Sequence, residues 1–458
     1  MARKFLSTFF IFGLLVCLLW GVRAPQAQTQ PQSQPVPRDV RLNVFEQVWR
    51  AIYDNYYDRN FRGLDWRLQR DVFRPQIESA NTNLELYRVL RQMIGKLGDA
   101  HTRVYSPEDG FDRYRPSGVT VGIVVRRIEG RAIVSWVEPG SEAERQGIRA
   151  GAAVTAVDGI PVEKTLARLR EEIGDSSTPI ALDLQSFDRL FYGPRDTPVS
   201  VAFTDETSHR RTATLMRRYV EFQRKVIARQ LPYNIGYIEL TGFGPEIERD
   251  FDVVMQTLQT SRGLILDLRN NGGGFVTTVT QVASYFLDEE TDLGEFVTRQ
   301  GKATRRRTQR LRTLFRDPLV VLVSPRSASG SEIFAAAMQE HNRALVLGTA
   351  PATCGCLLGV SRTLRLLDGG KLNISDTDYR TARGRRIEGV GVKPDRQVEI
   401  RAADLLAGRD RILEEAMEQL VRTIAFGPRS NEMQFRLRLP DLDVRAAIRN
   451  SPTSQVRP

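Results

Sequence analysis

The sequence predicts an α+β protein of several units: a helical front unit, a small β-rich module, and an α/β core with a largely parallel sheet. Three observations carry this. Apolar residues recur at helical spacing between Phe45 and Leu97, and short β-branched runs bounded by turn residues follow them. From Ile235 onward, near-continuous apolar runs alternate with helical patterns. A chain of 458 residues exceeds one compact domain. Its hydrophobic content of 41% supplies real cores and excludes wholesale disorder.

The N-terminus comes first. Arg3 and Lys4 precede an apolar run from Phe5 to Trp20, after which polarity returns. A charged start before a short apolar stretch is the pattern of an export signal, expected over residues 1–27 with Ala24 and Ala27 as cleavage candidates. An uncleaved anchor that associates with a membrane is the alternative, although the run is short for a span. Cys17 has no small residue before it, which argues against lipidation. Residues 28–38 are rich in Gln and Pro and read as a tether.

Residues 39–115 form the expected helical unit. Phe45, Val48, Trp49, Ile52, Tyr53 and Tyr56 give one apolar face, and Leu86, Val89, Leu90, Met93, Ile94 and Leu97 a second, closed by Gly98 as a C-cap. Residues 117–218 carry the strand-like runs beginning at Gly122, Ala132 and Val154, with one helix expected near residues 141–146. In the core, residues 219–424, strands are expected from Ile235, Leu264, Leu319 and Ala344. Helices are expected at about 245–258, 275–287, 331–339 and 402–422, and a hairpin around Asp368-Gly-Gly. The tail, 425–458, shows little pattern and is expected to be poorly ordered.

Lys plus Arg number 66 against 55 Asp plus Glu, a net charge of +11. The one dense run is Arg305, Arg306, Arg307, Arg310, Arg312 and Arg316, which lacks the interleaved aromatics that stack on bases. It reads as an exposed basic loop. Nucleic-acid binding is not predicted, and a basic membrane-surface adaptor rests on this loop alone. Past the signal only Cys354 and Cys356 remain, too few for a disulfide framework and without visible metal co-ligands.

Chemistry concentrates at two strand ends of the core, where open α/β sheets collect ligands. One is Leu266-Asp-Leu-Arg-Asn-Asn-Gly-Gly-Gly, whose glycines let backbone N–H groups face an anion. The other is Val323-Ser-Pro-Arg-Ser-Ala-Ser-Gly-Ser-Glu, where a serine sits at a helix start whose amides favour a negative oxygen. Together they supply a nucleophile and an oxyanion hole. The competing reading of Ser329 is a capping box with Glu332.

The stretch from Glu138 to Gly159 resembles the core of a PDZ domain, and that resemblance makes Val121, Gly122, Ile123 and Val124 a loop for a peptide's C-terminal carboxylate. Ala152 replaces the usual acidic residue after Gly151. The order of the units, with Leu97-Gly-Asp-Ala-His-Thr-Arg, Asn234-Ile-Gly-Tyr-Ile and Ile387-Glu-Gly-Val-Gly-Val-Lys-Pro-Asp, resembles the carboxyl-terminal processing peptidases of family S41 over roughly residues 40–400.

That resemblance implies a crotonase-like α/β core, Ser329 as nucleophile, and Gly330 with the turn around Gly273 as oxyanion donors. It implies protein or peptide C-termini as substrates, and neither metal nor organic cofactor. The chain departs from the family at the general base. The position of the lysine in the Lys-dependent branch is Cys354, and the glutamine four residues later is Leu358. His101, in Asp99-Ala-His-Thr, resembles the histidine base of another branch, although Lys-dependent members keep a similar sequence without using it. Lys371 is a further candidate, whereas His209 and His341 receive no role. If the site is active, His101 rather than Cys354 is expected to take the proton, because an unperturbed thiol is mostly protonated near neutrality. The rival reading is a catalytically silent relative that binds C-termini as a scaffold.

Overall fold

The computed structural model describes residues 35–426, apart from 110, 113, 206–208 and 312, together with 455–456. The expected signal, most of the tether and most of the tail lie outside the described residues. Among these residues, no helix is long and apolar enough to cross a membrane.

Three helices make the front unit rather than two: α1 Arg38–Asn55, α2 Trp66–Ser79 and α3 Asn83–Gly95. The extra one, α2, is capped by the Asp65 side chain, which accepts from Leu68 N. It buries only Trp66, Phe73 and Ile77 and carries Pro75 inside it, so its apolar stripe is thin. The hairpin expected near Asp368 forms from Thr363–Arg365 and Lys371–Asn373, and pairs with Arg103–Tyr105. Its Leu366, Leu372 and Ile374 complete the core of the helical unit.

The β-rich module enters and leaves through a two-stranded ribbon, Ser117–Thr120 against Arg218–Glu221. Between them lies a separate sheet built on Ile123–Ile128, Arg131–Val137, Ala153–Val157, Pro198–Thr204 and Arg210–Met216. It shares no strand with the sheet of Leu264 and Leu319. The module holds three helices, not one: α4 Glu142–Arg145, α5 Val162–Ile173 and α6 Pro179–Asp188. In α5, Val162, Leu166, Leu169 and Ile173 bury one face at helical spacing.

The core sheet runs in the order Arg396–Gln397, Leu345–Gly348, Leu319–Val323, Gly263–Asp267, Ile235–Leu240, Val226–Leu231 and Gln455–Val456. The first five strands are parallel, and the last two pairings are antiparallel. Gly263–Asp267 and Leu319–Val323 are buried along their whole length, as strands covered on both faces must be. On one face pack α7 Pro245–Thr257, α8 Val276–Ser284 and α9 Gly330–Glu340. The other face is covered by residues of the last helix.

The helix expected over 402–422 is two: α10 Ala402–Leu406 and α11 Arg411–Phe426. Gly408, at φ +64°, ends the first, and Asp410 is thereby freed to pair with Arg269 at 2.8 Å. The basic run is also corrected. Arg305–Arg307 lies in the strand Ala303–Arg307, not in a loop, and its arginines meet acids: Arg305 pairs with Asp292 and Glu295, Arg307 with Glu290, and Arg316 with Asp288. These pairs hold three of the six arginines of the run to acids.

Candidate active site

The first wall is backbone. After the strand Gly263–Asp267 the chain turns through Asn271, which is fully buried. Its Nδ2 donates to Leu240 O at 3.0 Å, its Oδ1 accepts from Gly273 N at 2.8 Å, and its carbonyl accepts from Ser331 Oγ at 2.8 Å. One asparagine therefore fastens the glycine turn to the start of α9. Gly273 has φ +96°, and a Cβ there would lie 2.6 Å from Ala328 O and 2.8 Å from Ser329 Cβ. The turn thus lies at contact distance from Ser329.

The hydrogen bonds set Gly273 apart from Gly274. The N–H of Gly273 is taken by Asn271, so it is not available to an oxyanion. At Gly274, Phe243 N donates to the preceding carbonyl and Phe275 N donates to Phe243 O, which turns the Gly274 N–H away from Phe243. A Cβ on Gly330 would stand 3.3 Å from Gly274 N. Among the described residues, neither Gly274 N nor Gly330 N donates to a protein acceptor.

Ser329 sits where the strand Leu319–Val323 passes into α9. Its approach is fixed by Ser324 Oγ on Arg269 O at 2.5 Å and Ser327 Oγ on Leu268 O at 2.8 Å, which bind the two loaded strand ends together. Glu332 does accept from Ser329 N at 2.9 Å, and the reciprocal arrangement of a capping box between Ser329 and Glu332 is present. Yet Ser329 has φ +53° and ψ −113°, whereas a capping serine is normally extended. A non-glycine residue held in this region is strained, and such strain gathers at functional sites.

Glu332 does more than cap. Wholly buried, it also accepts from Thr353 Oγ1 at 2.5 Å, Gly355 N at 2.8 Å and Cys356 N at 3.1 Å. Burial pushes its carboxyl up to about 7, with these four bonds opposing the rise.

The second wall is the turn at residues 353–357 and the loop at 99–102. Cys354 and Cys356 are joined as a disulfide, a single local bridge and not a framework. Cys354, the position expected for the family lysine, is therefore a disulfide sulfur with no thiol proton to exchange. Leu358 is buried in the short strand Leu358–Gly359. The turn grips the nucleophile loop: Cys354 N donates to Ser327 O at 3.2 Å, and Ser329 N donates to Cys356 O at 3.0 Å.

His101 is half-buried on a loop shaped by Asp99. The Asp99 carboxylate accepts from His101 N at 2.7 Å and from Thr102 Oγ1 at 2.5 Å. Ala100 packs in one buried cluster with Ala181, Cys354 and Cys356, and Ala328 packs against it. The loop that carries His101 thus abuts the disulfide and the residue before Ser329. Lys371 is occupied elsewhere, donating to Phe111 O. His341 ends α9 and contacts Asp292 O at 2.7 Å.

One carboxylate escaped the sequence analysis. The Glu388 side chain is wholly buried, accepts from Leu357 N at 2.8 Å, and pairs with Arg62 at 3.1 Å. Burial and the neighbouring Asp99 push its carboxyl up. Arg62 also donates to Gly98 O at 2.6 Å, so the pair joins the front unit, the His101 loop and the disulfide turn. The acid beside Gly389 in the stretch Ile387-Glu-Gly-Val-Gly was the signal available.

In the module, Val121 and Ile123 are buried and Gly122 has φ +78°. Gly122 N donates to Thr120 Oγ1 at 3.1 Å, which leaves it unavailable to a carboxylate in this conformation. The strand Ile123–Ile128 pairs on one side only, with Arg131–Val137. From that strand Arg126 reaches Asn270 Oδ1 at 2.9 Å, touching the glycine turn. Burial, then the nearby Arg326, push the Arg126 guanidinium down to about 9. Among the described residues, no group of three His, Cys, Asp or Glu side chains is placed to hold a metal.

Known proteins are similar to this chain unit by unit. The family model for peptidase family S41 matches residues 234–398, the Tricorn protease C1 domain residues 37–95, and a PDZ domain residues 133–186. A carboxyl-terminal-processing protease from Picosynechococcus is 30% identical over 387 residues, covering 80% of this chain and 86% of that protein. Among solved structures, a photosystem II D1 C-terminal processing protease is 27% identical, with a TM-score of 0.54 over 78% of this chain and 93% of its own. Mature CPAF shares the fold, with a TM-score of 0.64 at 15% identity over 84% of this chain and 98% of its own.

Proposed function

The chain belongs to the carboxyl-terminal-processing peptidases of family S41, and from that premise we propose that it is an exported serine endopeptidase that cuts proteins near their C-termini. The observation that carries the reading is Ser329, held at φ +53° on a helix start with the N–H groups of Gly274 and Gly330 beside it. Ser329 Oγ attacks the scissile carbonyl, and its proton passes to His101. The carbonyl oxygen becomes an oxyanion held by Gly274 N–H and Gly330 N–H. The protonated imidazole then gives its proton to the leaving amine, and water releases the acyl group by the same route in reverse. Cys354, tied in a disulfide, has no part in proton transfer. The module holds the substrate's terminus along the strand Ile123–Ile128, with Val121–Val124 receiving the carboxylate.

A disulfide accords with an oxidising compartment, and so with the charged-then-apolar start of the chain. The N-terminal residue of the mature protein, read by mass spectrometry after expression in a bacterial host, tests export; an intact Met1 would reject cleavage. The rival reading, a silent scaffold for C-termini, has specific support in the disulfide at the lysine position. A fluorophosphonate probe separates the two. Labelling that Ser329→Ala removes supports the peptidase, and a native protein that never labels supports the scaffold.

A further inference from the structure

We propose that Cys354 and Cys356 form a thiol–disulfide site whose oxidised state keeps the Ser329 site in register. The inference rests on the reading of Ser329 as the nucleophile. The tripeptide Cys354-Gly-Cys brackets Ser329 from both sides: Cys354 N holds Ser327 O, and Cys356 O accepts from Ser329 N. Between these contacts, Gly355 N and Cys356 N both donate to Glu332, whose Oε2 in turn accepts from Ser329 N. Apart from Thr353 Oγ1, which donates to Glu332 at 2.5 Å, the polar ties of the turn to Ser329 thus pass through three residues that the disulfide closes.

A bridge across so short a loop removes little chain entropy, so its effect is local and not a staple for the whole fold. The surroundings leave the turn no room to adjust. Gly355 is at φ +67°, and a Cβ there would lie 2.6 Å from Thr178 Cγ2 and 3.0 Å from Gly391 N. Thr178 Oγ1 also fastens Cys354 O at 2.6 Å. Both cysteines are buried, in a cluster with Ala100 and Ala181.

Reduction replaces a covalent S–S bond of about 2 Å with two thiols that need roughly the 3.5–4 Å of other non-bonded heavy atoms. In a packed pocket that separation has to come from the backbone of the turn, and with it from the bonds to Ser329 and Glu332. The reaction is a thiol–disulfide exchange with a dithiol. One thiolate of the dithiol attacks a cysteine sulfur and the S–S bond breaks to give a mixed disulfide; its second thiol then closes a disulfide of its own. Two electrons and two protons pass to the cysteines, which end as thiols. Burial makes the exchange slow, so the state set when the chain folds persists until the turn opens.

The test uses the full chain, with dithiothreitol as the dithiol. Alkylation and peptide mass mapping of the native protein should find Cys354 and Cys356 linked; two alkylated thiols without reductant would overturn the proposal. Amide exchange of the peptide holding Ser329 should quicken about tenfold on reduction, the effect of losing about one hydrogen bond. Fluorophosphonate labelling of Ser329 should slow by a similar factor. The double variant Cys354→Ser/Cys356→Ser should behave as the reduced protein and ignore dithiothreitol. Unchanged exchange on reduction, or wild-type exchange in the double variant, would reject the redox role. If neither state labels while exchange responds, the peptidase reading fails and the redox coupling stands.

Discussion

The two walls around Ser329 are made of different material. The wall formed by Asn271–Gly274 and the start of α9 is backbone, fastened by one buried asparagine and by serines on the opposite strand end. The wall formed by residues 99–102, 353–357 and 388 is side chain: a disulfide, two buried acids and a histidine loop. Backbone donors come with the local fold and need only glycine at close approaches. A base depends on one particular side chain, and on the proposed reading the family's lysine position is held by Cys354. A site can therefore keep its oxyanion wall intact while its proton acceptor is rebuilt.

The largest expected effects test whether the rebuilt wall works. Ser329→Ala should abolish probe labelling and lower cleavage of a C-terminal peptide by about 10⁴-fold or more. His101→Ala should cost as much if the imidazole takes the proton, measured by kcat/KM on the same peptide. Cys354→Ala should cost only about the tenfold given above for loss of the bridge. Equal losses in the His101 and Cys354 variants would erase the distinction between base and support.

Next comes the backbone wall. Gly274 has φ +146°, and a Cβ on it would lie 1.9 Å from Phe243 O, a contact that only movement of the turn can relieve. Gly274→Ala should lower kcat by about 10²–10³, the range seen when an oxyanion donor is lost. The variant should still bind a peptide C-terminus with unchanged affinity in a pull-down. A wild-type kcat would return the donor role to another amide.

The backbone wall was the more legible of the two. Successive glycines after a buried strand and a serine before a helix are visible as pattern, and both strands lie where the apolar runs place them. What pattern cannot show is which amide faces the cleft. Gly273 and Gly274 differ by one residue, and only the Asn271 side chain decides between them. The side-chain wall draws on residues 62, 99–102, 354–356 and 388, whose proximity is set by packing between units and leaves no periodic trace. Helix α2 was missed for the reverse reason, since its stripe of three buried residues is too sparse to stand out from an arginine-rich stretch. The break at Gly408 was visible as a residue type, but the Arg269–Asp410 pair that exploits it was not.

Glu332 joins both walls, so its titration sharpens the comparison. Its folded carboxyl lies near 7 against an ordinary value of 4.5. Between those values the folded chain keeps a proton that the unfolded chain has released, so this group's contribution to stability is lost as pH rises through the window. The ceiling on the change is about 3 kcal/mol, from 1.36 kcal/mol for each unit. Denaturant melts at pH 5 and pH 7.5 should show wild type losing stability relative to Glu332→Gln as pH rises. Parallel pH slopes for the two proteins would mean that Glu332 stays ionised throughout.

The smallest effect belongs to Arg126, the link from the module to the backbone wall. Its guanidinium donates to Asn270 Oδ1 at 2.9 Å while lying close to the charges of Arg326 and Arg269. Removing it loses two charge-assisted hydrogen bonds, to Asn270 Oδ1 and to Ser135 Oγ, but relieves that repulsion and the cost of burying a cation. The two changes oppose each other, so Arg126→Ala should leave stability within about 1 kcal/mol of wild type. Asn270 is exposed and stands outside the Asn271–Gly274 bonds that shape the oxyanion wall, so kcat should fall by less than about tenfold. A loss as large as that of His101→Ala would show that the backbone wall depends on the module for its shape. The contrast between a self-supporting wall and a rebuilt one would then fail, because both would rest on side chains brought in from other units.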